Sequence, residues 1–185
     1  MRLTPDNSIL AFVDVQEKFM PVIEGSESLV REASALACFA GKLGVPVLAT
    51  EQNPAKLGPT VGPLKRHLDP TKTWGKMAFS CCGSRGFSKA VTDLGRKKAV
   101  VCGIETQVCI LQTCLDLMES GIEVHLALDA LGSRSAFEKE IALRRLESEG
   151  ARVCTVESVV FQWLEKAGTP EFKEFQAHIK GRPHG

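Results

Sequence analysis

The stretch VVCGIETQVCILQTC, residues 100–114, decides how the chain is to be read. Its first part extends an apolar run, 98–104, of the kind that forms a buried strand. Its second part opens a segment with helical spacing, 106–121, which carries Cys109 in its first turn. A strand that passes through a short polar turn into a helix is the repeating unit of a parallel sheet with crossover helices. The stretch also places a thiol at a helix start, directly after a buried strand. Cysteine packs well as a small core residue, and a helix N-terminus is also where a thiol gains nucleophilic character. Both readings stand on these residues alone.

The same alternation continues outward. ILAFV (9–13) is a short apolar strand that ends at Asp14. SESLVREASALACFAGKLG (26–44) reads as a helix with Ser26 as N-cap, an apolar face of Leu29, Ala33, Leu36, Ala37, Ala40 and Leu43, and Gly44 as its stop. VPVLAT (45–50), KMAFS (76–80), EVHLALDA (123–130) and RVCTV (152–156) are further strands. Helices are expected over 84–95, 134–150, 158–168 and 170–181. Residues 51–73 hold four of the nine prolines and show no period, as expected of a functional stretch or one folded over something. The pattern predicts an α/β fold: a three-layer α/β/α sandwich around a six-stranded parallel sheet, with 1–185 as one domain.

Composition narrows the function. The formal net charge is +1, which offers no electrostatic argument for nucleic acid or an anionic membrane. No apolar run approaches the ~20 residues that span a bilayer, and the first residues lack a signal-peptide core. Seven cysteines, several of them inside apolar runs, suggest reduced thiols in a cytoplasmic protein. Cys81–Cys82 reads as two ordinary thiols. The four histidines, His67, His125, His178 and His184, show no ligand spacing.

In open α/β sheets, ligands bind beyond the carboxyl ends of the strands, where strand order reverses. The residues expected there are Asp14, Val15 and Gln16; Thr50, Glu51 and Gln52; Glu105 and Thr106; and Asp129. With Thr106 as N-cap, Cys109 falls at the third helical position, and its pKa is expected below a free thiol's ~8.5. A nucleophilic thiol needs a base and an oxyanion site. No histidine stands at a strand end, so Asp14, desolvated behind its apolar strand, is the candidate base. Lys76 is the cation in an apolar context that would stabilise both anions.

FVDVQEKF (12–19), KMAFS (76–80), VVCGIETQVCILQTCLDLMESGIEV (100–124) and DALGSRS (129–135) together resemble the isochorismatase-like cysteine hydrolase superfamily. VPVLATEQNPAKLGPT (45–60) and GTPEFKEFQAHIK (168–180) are most similar to its isochorismatase-domain-containing protein 2 group. The resemblance implies a Rossmann-like sheet of order 3-2-1-4-5-6 and a catalytic triad of Asp14, Lys76 and Cys109. It also implies a cis peptide bond between Ile104 and Glu105, with the Glu105 and Cys109 N–H groups as oxyanion hole. Amide hydrolysis through an acyl-enzyme is the expected reaction. The nicotinamidase branch holds a metal on an Asp-x-His pair and a later histidine; TEQNPAKLG has none, so neither metal nor other cofactor is expected. Phe19, Gln52, Trp74 and Phe79 are the candidates to line a small-molecule pocket.

Two other classes stay open. One is a thiol redox protein with Cys109 resolved by Cys114 or Cys102, although positions 109 and 114 lie on different helix faces. The other is an interaction module that keeps the fold without turnover. The terminal segment, with Phe161, Trp163, Leu164, Phe172, Phe175 and Ile179, is expected to contribute both to the core and to a homo-oligomer interface.

Overall fold

The computed structural model describes residues 2–182; His184 lies outside them. In chain order the elements are β1 (Ser8–Val13), α1 (Ser26–Lys42), β2 (Val47–Gln52), and the single-turn helices α2 (Pro54–Leu57) and α3 (Gly62–Lys65). Then come β3 (Thr73–Lys76), α4 (Arg85–Leu94), β4 (Lys98–Gly103) and α5 (Leu111–Glu119). The chain closes with β5 (Glu123–Leu131), α6 (Ala136–Ser148), β6 (Arg152–Cys154), α7 (Val156–Leu164) and α8 (Pro170–Lys180).

The six strands form one sheet in the order β3-β2-β1-β4-β5-β6, and every pairing is parallel. Strands buried on both faces need apolar residues throughout, which is why β1 and β4 read as unbroken runs. Successive side chains still alternate between two layers. Leu10, Phe12, Val100 and Cys102 enter the layer beneath α1, α7 and α8. Ile9, Ala11, Val13, Ala99 and Val101 enter the layer beneath α4, α5 and α6. The first layer is closed by Phe175 of α8, which packs edge-on against Phe39 of α1 at 4.9 Å between centroids.

Several boundaries differ from the sequence reading, each for a local reason. Gly25, not Ser26, caps α1, in a left-handed conformation (φ 65°) that glycine adopts without steric cost. The second strand runs to Gln52, because β3 pairs with Ala49 through Gln52 and extends it. The third strand ends at Lys76 instead of beginning there. The last strand spans only 152–154, because Thr155 and Ser158 form a reciprocal cap that starts α7 early. Asp129 is withdrawn from the expected ligand edge: it lies within β5 and its Oδ1 accepts the Val156 N–H at 2.8 Å.

The stretch 51–73 folds back over the sheet edge through α2 and α3, and Gln16 forms an isolated antiparallel bridge with Thr60. β1 is flanked by β2 and β4, whose crossovers lie on opposite layers, so a crevice opens beyond the carboxyl ends of β1 and β4. Gly103 lets these ends meet. A Cβ there would stand 2.0 Å from the Val13 carbonyl oxygen, and the φ of 126° is one that L side chains rarely adopt.

Candidate active site

Asp14 leaves β1 in a left-handed conformation (φ 53°), and its side chain is fully buried. Its Oδ2 accepts from Lys76 Nζ at 2.6 Å, and its Oδ1 accepts from Thr50 Oγ1 at 2.8 Å. Lys76, the last residue of β3, has a side chain only 1% exposed. Its ammonium also donates to Gln52 Oε1 at 2.7 Å and the Phe79 carbonyl at 2.8 Å, with the Ala78 carbonyl at 3.3 Å. Residues 77–80 therefore wrap around the lysine head, which is why they do not continue the strand. A buried ion pair is tolerable when its remaining protons and lone pairs are also matched, and this one is. Gln52 is fixed in turn: its Nε2 donates to the Met77 carbonyl, and its backbone is clasped by both ends of the Gln16 amide.

Cys109 arrives from β4. The Ile104–Glu105 peptide bond is cis, and Thr106–Ile110 then forms a wide π-helical turn before α5. The N–H groups of Val108 and Ile110 both reach the Glu105 carbonyl at 3.1 Å. The Glu105 N–H donates to no backbone acceptor among the described residues. Thr106 does not cap this helix; its N–H and Oγ1 both donate to the Gly132 carbonyl at 2.9 Å. The Glu105 carboxylate meets Arg134 Nε at 3.3 Å and Gln107 Nε2 at 3.3 Å.

Above the thiol lies an open cavity of about 490 Å³. Phe19, Leu57, Phe79 and Val108 supply its apolar wall, and Gln52, Asn53, Lys56, Glu105 and Arg134 its polar margin, with Cys109 among them. No three His, Cys, Asp or Glu side chains among the described residues converge as a metal site. After β2, Glu51 Oε1 is occupied by the Thr60 N–H and hydroxyl.

The expectation of a low thiol pKa at Cys109 is overturned. Burial, then the adjacent Asp14 carboxylate, pushes it up to about 12, against the opposing pull of Lys76. The N–H groups of the π turn that would favour a thiolate are largely spent on the Glu105 and Gly132 carbonyls. The resting group is therefore a thiol, and chemistry at its sulfur requires a neighbour to take the proton.

Residues 8–158 match the family model described as the isochorismatase domain. The chain belongs to the isochorismatase family. Isochorismatase domain-containing protein 2A of Mus musculus is 40% identical over 97% of this chain and 85% of its own length. A secreted isochorismatase effector of Phytophthora sojae is 37% identical over 97% and 87%. Among solved structures, the MAR1 ribonuclease of Caenorhabditis elegans superposes with a TM-score of 0.92 at 34% identity, covering 100% of this chain and 95% of its own. The sheet order and its flanking helices are those of isochorismatase-fold proteins.

Within this isochorismatase-family crevice, Asp14 and Lys76 are in direct contact, and Cys109 lies in the electrostatic field of both. Phe19, Gln52, Phe79 and Glu105 line the same cavity. Trp74 does not. Its indole packs edge-on against Phe87 of α4, 6.3 Å between centroids, because its position in β3 faces the α4 layer. Gln16 and Thr50 stand among the residues expected at the ligand edge, but the sequence assigns them no role, and it reads Cys81 as an ordinary thiol. Cys81 is fully buried, with its Sγ 3.2 Å from Thr50 Oγ1. For Thr50 the available signal is a polar residue at the carboxyl end of an apolar strand, in register with Val13 just before Asp14.

Proposed function

We propose that this chain is a cysteine amidohydrolase of small molecules, with Asp14 as base, Lys76 as its charge partner and Cys109 as nucleophile. The observation that supports it most is a buried, fully matched Asp14–Lys76 pair beside a protonated thiol that opens onto a cavity. As Cys109 Sγ bonds to the substrate carbonyl carbon, its proton passes to Asp14 and the carbonyl π electrons move to oxygen. The Glu105 and Cys109 N–H groups hold that oxyanion. Its collapse breaks the C–N bond, and Asp14 returns the proton to the departing amine. Water then attacks the thioester, giving its proton through Asp14 to the leaving sulfur. Lys76 holds the carboxyl group oriented throughout.

The cavity's size and apolar wall favour a small amide with an apolar acyl part, oriented by Gln52, Asn53 and the Lys56 and Arg134 cations. RNA is not expected as a substrate, because two cations at the rim of so small a cavity make no track for a phosphate backbone. The whole chain, 1–185, is read as one domain without metal or other cofactor. Seven unpaired cysteines suit the reducing cytoplasm. Phe137 (68% exposed) and Ile141 (46%) on one face of α6, with Phe161 on α7, support a homo-oligomer.

The experiment is incubation with a panel of small primary amides, N-alkyl amides and ethyl esters, with intact-mass detection of adducts and assay of released amine. At least one amide should leave an acyl group on Cys109, insensitive to chelator and absent in Cys109→Ser. Amide turnover that survives in Cys109→Ser, or cleavage of an RNA oligonucleotide in place of amides, would overturn the proposal.

A further inference from the structure

Joined to the ion pair, and outside the cavity lining, are two buried polar groups that the mechanism does not use, Thr50 and Cys81. Asp14, Thr50 and Cys81 are each fully buried. Thr50 Oγ1 donates its only proton to Asp14 Oδ1 at 2.8 Å. It stands 3.2 Å from Cys81 Sγ. With the hydroxyl proton committed to the carboxylate, that contact is a hydrogen bond only if Cys81 S–H donates to the threonine oxygen. Cys81 is itself pinned, since its backbone N–H donates to Thr113 Oγ1 at 2.9 Å. Burial, then Asp14, pushes its thiol up to about 12, so it remains a donor.

We infer that Thr50 and Cys81 are positioning residues that form a one-way donor chain, Cys81 S–H to Thr50 O–H to Asp14, which holds the general base oriented. The inference rests on the reading of Asp14 as base. The chain occupies Oδ1 while Lys76 occupies Oδ2, and together they fix the carboxylate plane. Hydrogen bonds donated to a carboxylate favour its charged form, and a donor that is itself hydrogen-bonded is strengthened. The charged and titratable groups that face Asp14 are Lys76 at the end of β3, Cys81 from the turn after it, and Cys109 from the turn after β4. β2 contributes the uncharged Thr50. Lys76 supplies the charge, while the threonine and buried thiol fix the direction in which the carboxylate faces.

The test is the rate of Cys109 carbamidomethylation by iodoacetamide in the full chain at about pH 7.5, mapped by peptide mass. Thr50→Val should lower that rate about tenfold, the size expected for one lost hydrogen bond to a charged group. Thr50→Ser, which keeps the hydroxyl, should restore the wild-type rate. Cys81→Ala should lower it by less, and Cys81→Ser should leave it unchanged. A Thr50→Val rate equal to wild type would overturn the inference. If Thr50→Val does not fold, a Cys81→Ala rate equal to wild type overturns it instead. Failure of the underlying reading looks different: Asp14→Asn would then leave the wild-type rate intact.

Discussion

Two lysines are buried at opposite ends of the same sheet, and the contrast between them separates a site from a support. Lys76 closes β3 at the carboxyl edge, and Lys98 opens β4 at the amino edge. Lys98 donates to Glu123 Oε1 at 2.8 Å. That carboxylate is 28% exposed and is shared with His125 at 2.7 Å and Arg152 at 3.3 Å. The amino-edge cluster thus sets two cations and an imidazole around one carboxylate that water still reaches, and these contacts tie β4, β5 and β6 together. At the carboxyl edge one carboxylate meets one ammonium, both sealed from water, and a thiol and an open cavity lie beside them. Burial alone does not mark a functional charge; the reactive group and the space next to it do.

The sharpest way to break this contrast is to remove each charge. Lys76→Met should slow Cys109 acylation by at least about a hundredfold, the lower end of what a positioned base supplies. It should also destabilise the fold by about 3–5 kcal/mol, because it strands a buried carboxylate. Single-turnover rates and denaturant melts measure both. Wild-type acylation in a folded Lys76→Met protein would place the two lysines in the same class.

Glu123→Gln should act on stability only. Glu123 is held down to about 2 from an ordinary 4.5, chiefly by its hydrogen bond from Lys98. A depressed carboxylate stabilises fully above its unfolded pKa, and that contribution is lost as pH falls through the folded one. Wild type should therefore lose stability between about pH 4.5 and 2, and Glu123→Gln should show a flatter curve there, with Cys109 reactivity unchanged. Melting temperatures across that window provide the check. An acylation defect in Glu123→Gln would break the contrast.

The smallest effect is expected at Trp74. Trp74→Phe should leave acylation within about twofold of wild type, since the indole packs against Phe87 and not on the cavity. Phe79→Ala, on the cavity wall, should raise the substrate concentration needed for half-maximal acylation. A kinetic defect for Trp74→Phe equal to that of Phe79→Ala would return the tryptophan to the site.

Which of these residues the sequence made legible follows from the range of the forces involved. The strand and helix pattern is local: unbroken apolar runs for β1 and β4, an i, i+3, i+4 stripe for α1. The topological switch then brings Asp14 and Glu105 to one crevice, and the family motifs name Lys76 and Cys109. Three things are not local. The Cys109 thiol is raised because burial and Asp14 outweigh a helix terminus where the Thr106, Val108 and Ile110 N–H groups are already bonded. Trp74 is turned from the cavity by the register of a four-residue strand whose limits depend on the lysine head beyond it. Thr50 and Cys81 acquire their positions only through a partner 36 residues away for one and 31 for the other.

The central claim is that a protonated Cys109 becomes a nucleophile through Asp14, and selective alkylation tests it most directly. Wild type and Asp14→Asn would be treated with limiting iodoacetamide near neutral pH, and all seven cysteines compared by quantitative peptide mapping. The account predicts that Cys109 is labelled first in wild type, ahead of the more exposed Cys38, Cys82 and Cys154, and loses that lead in Asp14→Asn. Equal labelling of Cys109 in both proteins, or earlier labelling of Cys81 or Cys82 in wild type, would contradict it.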